Sequence, residues 1–247
     1  VLERASARET AARVAAGAVA RQILAQVSIA ISSHVVAIGP VTAAAFPVPF
    51  DRIAALPDDS PTRCVDEGAA GRMMAAIDAA REAGDTLGGA FEVVARGVPA
   101  GLGSYAQWDR RLDGRLAQAL MSIPAIKAVG IGIGPDAARL PGSQVHDEIV
   151  LAAADAHGGP AAIPFARPTN NAGGLEGGVT NGQDLRLTAY MKPISTLLSP
   201  LRSVDIATRE AGPAAVERSD VCAVPAASVV GEAMVALVLA DALLDRF

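Results

Sequence analysis

The chain has 247 residues, 51% of them hydrophobic, a formal net charge of −5, a pI near 5.2 and a mean hydropathy of +0.34. These values suffice for a sizeable buried core and exclude a disordered chain, and an acidic balance without a basic stripe gives no case for nucleic acid, so an anionic ligand must be held by locally placed cations. Cys64 and Cys222 lie far apart with no CxxC, and His34, His146 and His157 have no metal-ligand spacing, which argues against a disulfide scaffold or a metal site and favours a reducing cytoplasm.

RASARET, residues 4–10, opens a helix predicted over 6–25, with Ser6 and Glu9 in the S-x-x-E spacing of a capping box. Arg4 and Arg8 flank its start, where unpaired N–H groups and the helix dipole suit a phosphate or carboxylate. Spacing alone leaves two readings open: a plain cap with solvated arginines, or an anion site. SIAISSHVVAIGPV is rich in β-branched residues and predicts a strand. Residues 46–65 carry several prolines and predict a loop with room for a short helix. A helix over 66–83 is opened by Asp66 and closed by Gly84, with Met73, Met74, Ile77 and Ala80 on its apolar face.

TLGGAFEVVARGVP predicts a strand with Phe91, Val93 and Ala95 on one face and Glu92, Val94 and Arg96 on the other. Leu112, Leu116 and Leu120 mark a helix over 109–121. AIKAVGIGIG predicts a buried strand. Its glycine spacing is wrong for a dinucleotide fingerprint and Pro135 opens no long helix, so a Rossmann reading is rejected. Residues 155–183 read as glycine-rich loop, in which NNAGGLEGG can bring backbone close to a flat ligand.

DLRLTAYM predicts a half-buried strand. YMKPIST, residues 190–196, then sets Lys192, Ser195 and Thr196 around Pro193, either as a phosphate-binding turn or as an ordinary exit from a strand. In ERSDVCAVPAAS, Arg218 and Asp220 share one side of an extended segment, either to hold an anion or to pair with each other. The apolar run SVVGEAMVALVLADALL, interrupted by Glu232 and Asp241, is short for a membrane span and predicts a buried helix over 228–245. Strands with one polar face suit antiparallel sheets, so the expected fold is α+β, a single domain over 1–247.

The chain resembles chorismate synthase in RASARETAARVAAGAVA, AAIDAAREAGDTLGG, GVPAGLGS, DRRLDGRLAQALMSIPAIK, GSQVHDEI, NAGGLEGGVTNGQ, MKPIST and RSDVCAVPAASVVGEAMVALVLADALL, in the family's order. The resemblance implies a β-α-β sandwich of antiparallel sheets and helices, a homotetramer and a cytoplasmic location. It implies a carbon–oxygen lyase of the shikimate pathway to aromatic amino acids. The reaction converts 5-enolpyruvylshikimate 3-phosphate to chorismate and phosphate by 1,4-trans elimination, with reduced FMN and no net redox change.

Position by position, the resemblance implies flavin contacts at Arg4, Ala5, Ser6, Pro124, Ala125, Gly177, Lys192, Pro193, Ile194, Ser195, Thr196 and Arg218. It places Ser6 and Asp220 in a proton relay, and Arg8 and Arg218 on the anionic substrate. The reductant is left open between an external flavin reductase and NADPH used by the protein itself. The family carries two further histidines upstream, in GESHG and RPGHAD motifs, and this chain enters a helix directly after Val1, which reads as the interior of a longer protein. The expectation is little or no turnover by the isolated chain. The alternative is a non-catalytic flavin-binding or oligomerisation remnant. His146 matches the family by position and is read as structural.

Overall fold

The computed structural model describes residues 7–44, 47–151 and 165–246. Helix α1 (Ala7–Ala25) leads into β1 (Ala30–Ile38), β2 (Val41–Thr42), a short α2 (Phe50–Ala54), α3 (Glu67–Glu82) and β3 (Gly89–Arg96). Next come α4 (Leu112–Met121), β4 (Ile126–Ile131) and a single-turn α5 (Gly142–Val145), then the paired β5 (Val150–Leu151) and β6 (Phe165–Ala166). A hairpin of β7 (Leu175–Glu176) and β8 (Val179–Thr180) precedes β9 (Leu185–Met191), a second hairpin of β10 (Arg202–Val204) and β11 (Ala211–Pro213), and the long α6 (Val224–Leu244).

The fold is α+β. Five strands form one sheet in the order β2-β1-β3-β9-β4, every neighbouring pair antiparallel. On one face Ile31, Val35, Phe91, Val93, Ala95, Leu185, Leu187 and Ala189 meet α1, α3, α4 and α6 in a single apolar core. Helix α3 begins where the Asp66 side chain accepts from the Ala69 amide at 2.9 Å, and it ends before Gly84 at φ +69°. Helix α6 is long and apolar enough to cross a membrane by length and composition, but 67% of its apolar window is buried inside the fold, so it is the central core helix. It starts at Val224, earlier than predicted, because Pro225 pre-sets the first turn and Ser228, already helical, donates back to Pro225 O at 2.8 Å.

Glycines let α6 approach its neighbours. A Cβ on Gly17 of α1 would overlap Ala233, with its Cα only 2.6 Å away, and one on Gly231 would stand 2.6 Å from Phe91. Gly17→Val is therefore expected to force α1 off α6 and to lower stability by about 1–3 kcal/mol through overpacking. Urea unfolding checks this, and a midpoint equal to wild type contradicts the close crossing.

Three expectations need correction. The second face of β3 and β9 is not a solvated polar face: Glu92 and Val94 are fully buried and Arg186 nearly so. The loop after β2 folds back and seals it with Val48, Phe50 and Ile53, which cluster with Val94. Strand β4 is a sheet edge with Lys127 and Ala128 exposed, not a buried strand. The helix predicted over 109–121 splits into a 3-10 turn, Trp108–Arg110, and α4, because Arg111 is extended and the Leu112 amide bonds Gly178 O at 2.9 Å.

Candidate functional site: an anion site where β9 ends

Beyond Met191 the chain leaves the sheet, and residues 192–196 make the turn foreseen in MKPIST. Neighbours fix this turn through its backbone. The Lys192 amide donates to Ala125 O at 2.9 Å, and Ala125 itself sits at φ +67°, a strained value for a residue with a Cβ. Thr86 Oγ1 donates to Ile194 O at 2.6 Å, and Ser219 Oγ donates to Thr196 O at 3.2 Å. Pro124 and Ala125, the turn 192–196, and the segment 218–220 thus form one patch although they are far apart in sequence.

The start of α1 is anchored to the same region. Arg13 Nη1 donates to Ser122 Oγ at 2.8 Å and to Ser122 O at 3.2 Å, just before Pro124. Glu9 pairs with Arg13 at 2.9 Å; Ser6, its expected capping-box partner, lies outside the described residues. Arg8 is exposed on the first turn of α1. Arg4, Ala5 and Ser6 lie outside the described residues, as does His157.

The patch is electrostatically available. Lys192 is exposed, and among the described residues its ammonium hydrogen-bonds the neighbouring Pro193 O at 3.4 Å and forms no ion pair. Arg218 and Asp220 are exposed and make no ion pair with each other or with other described residues, so the surface-pair reading of that motif does not hold. Two cations without a carboxylate partner among the described residues, the hydroxyls of Ser195 and Thr196 and a carboxylate therefore sit on segments that hydrogen bonds join. Cys222 stands beside it, bridged to Leu87, but burial pushes its thiol up, so it is neutral.

Gly177 takes no part in the hydrogen bonds that join this patch. It lies at φ +62° on the exposed turn of the β7–β8 hairpin, which precedes β9, whereas Lys192 follows it. The glycine loop before it serves chain packing: a Cβ on Gly132 would stand 2.6 Å from Gly173 N. Asn171 buttresses the same contact, donating to Val145 O at 3.0 Å and accepting from Ile133 N at 3.0 Å.

Asp147 organises that loop and was not singled out from sequence, although GSQVHDEI contains it. It accepts from Thr169 Oγ1 at 2.6 Å, Asn171 N at 2.7 Å and Ala172 N at 2.9 Å. Burial pushes its carboxyl up, but these hydrogen bonds outweigh burial and hold it below the usual carboxylate range. A depressed folded value means that the stabilisation is complete above the ordinary carboxylate pKa and is lost as pH falls through the folded value. Amide exchange in residues 169–174 is thus expected to accelerate as pH drops below about 4, after correction for intrinsic rates. Asp147→Asn is expected to flatten that dependence; an unchanged pH profile in the variant contradicts the assignment. Neighbouring His146 is exposed at the end of α5.

The buried charges serve the fold. Glu92 accepts from Arg186 Nη1 at 3.0 and 2.9 Å and lies 3.0 Å from His34 Nε2, while Arg186 also caps Val48 O. Glu232 of α6 is held by Arg63 at 3.0 Å, Ser33 Oγ at 2.7 Å and Arg21. Cys64 is buried, which pushes its thiol up.

Comparison with known proteins finds relatives over the whole chain. A family profile described as chorismate synthase matches residues 1–244. Chorismate synthases of Moorella thermoacetica and Brevibacillus brevis are 58% and 56% identical over 247 residues. The match covers 100% of this chain and 62% of each of theirs. A crystal structure of a chorismate synthase superposes with a TM-score of 0.79 at 43% identity, covering 98% of this chain and 64% of that one. The chain thus spans about 62% of the length of the curated relatives it matches.

Proposed function

The chain belongs to the chorismate synthase family, and from that premise we propose that its anion patch binds reduced FMN together with 5-enolpyruvylshikimate 3-phosphate and serves the elimination of phosphate that yields chorismate. The observation that carries this reading is the hydrogen-bonded union of residues 124–125, 192–196 and 218–220, with two cations that have no carboxylate partner among the described residues.

The residues present suit such ligands. Lys192 is a mobile point charge and Arg218 a planar fork, and both suit phosphate and carboxylate oxygens. Ser195 and Thr196 add hydroxyl donors, and Pro193 fixes the backbone of the turn. When bound, the reduced flavin supplies the electron density that the C–O cleavage draws on. Lys192 and Arg218 stabilise negative charge as the phosphate departs. In this reading Asp220, without a cation partner among the described residues, accepts and passes a proton at its carboxylate oxygens, with Ser6 as its relay partner. Arg8, on the first turn of α1, faces the substrate's carboxylates. Assembly as a homotetramer, and reduction of the flavin by a separate reductase or by NADPH, belong to the same proposal.

The test is an anaerobic titration of reduced FMN into the 247-residue chain, with and without 5-enolpyruvylshikimate 3-phosphate. Saturable binding that tightens with substrate is expected. Absence of flavin binding in both arms overturns the reading.

A further inference from the structure

The segment preceding β3, DTLGG, belongs to no ligand motif, yet it touches both halves of the anion patch. Toward one half, Thr86 Oγ1 donates to Ile194 O at 2.6 Å, and a Cβ on Gly88 would overlap Met191 O and stand 2.8 Å from Pro193 N. Toward the other half, Leu87 N donates to Val221 O at 2.8 Å, and Leu87 forms a parallel bridge with Cys222. The segment is itself tied down: Gly39 N donates to Gly88 O at 2.8 Å, and Ser199 N to Gly84 O at 3.0 Å. It therefore runs between the turn 192–196 and the segment 218–222, bonded to each.

We propose that Thr86 is a positioning residue: through its hydroxyl it sets the orientation of the peptide between Ile194 and Ser195, and so the spacing of Lys192 from Arg218. The inference rests on the flavin reading above and deepens it. Thr86 is 6% exposed and spends its hydroxyl on Ile194 O, so its effect passes through the turn. The geometry leaves it little other purpose. A buried hydroxyl needs an acceptor, and the one it takes is a turn carbonyl that the sheet does not use.

The experiment compares Thr86→Val, which keeps the side-chain shape, with Thr86→Ser, which keeps the hydroxyl. Three readouts are taken on the whole chain: the thermal midpoint, amide exchange at residues 194–199, and the Kd for reduced FMN. Thr86→Val is expected to speed exchange at 194–199 and to raise the flavin Kd about tenfold, the loss of one well-aligned bond. Thr86→Ser is expected to restore both. Exchange in Thr86→Val equal to wild type overturns the clamp, and faster exchange with an unchanged Kd overturns its role in binding. A loss of thermal midpoint in Thr86→Val that Thr86→Ser does not share, with the flavin Kd unmoved, assigns the hydroxyl to stability alone and likewise overturns the proposal. Failure of the wild-type chain to bind flavin overturns the flavin reading instead, and the exchange result then decides the clamp by itself.

Discussion

Glu92→Ala is expected to remove about 3–5 kcal/mol of folding stability, a large fraction of what a single domain has. Glu92 stands in the middle of β3 with no exposure, opposite His34 on one side and Thr188 on the other, and Arg186 is its diagonal neighbour. Its two oxygens accept from Arg186 and meet His34 Nε2, so alanine would leave a guanidinium and an imidazole in a dry space with no carboxylate. Among the described residues His34 Nδ1 has no hydrogen-bond partner, so Glu92 is the ring's one protein contact of that kind there. The loss comes from uncompensated buried charge, not from the strength of the pair. Replacing Glu92 and Arg186 together with leucine is accordingly expected to cost less than Glu92→Ala alone. Urea unfolding of the three proteins checks the order. A double variant less stable than the single one refutes this account.

The same pair shows where reading the sequence stops. Alternation in GAFEVVAR put Phe91, Val93 and Ala95 on one face, and that face meets the helices. It could not say what covers Glu92, because its partner Arg186 is 94 positions away and its lid comes from the proline-laden loop, whose path no periodicity encodes. Helices were legible for local reasons: Asp66 caps α3, Gly84 stops it, and a long, mostly apolar run becomes the core helix. In the site, KPIST and RSD announced themselves by charge beside turn residues. Thr86 and Asp147 did not, since a hydroxyl or carboxylate in a loop looks the same whether it binds water or a distant backbone. Gly177 shows another limit: glycine signals a tight or left-handed backbone, and that much is present, but it carries no information about what the loop faces.

Lys192→Ala combined with Arg218→Ala is expected to weaken reduced-FMN binding roughly a hundredfold, each single change contributing about tenfold, the scale of one charge-assisted hydrogen bond. Both side chains are exposed, so the thermal midpoint should stay within about a degree of wild type, as it does for most surface substitutions. The chain's net charge of −5 sharpens the test. With a repulsive background for anions, binding must depend on nearby cations, and the wild-type affinity should fall as salt screens them while the double variant responds weakly. Lys192→Arg should keep most of the affinity if the site needs only charge at that point. It should lose affinity if the turn requires a compact ammonium beside the Pro193 carbonyl. Affinity of the double variant within threefold of wild type, at low salt, would separate the patch from the ligand and return residues 192–196 to an ordinary exit from β9.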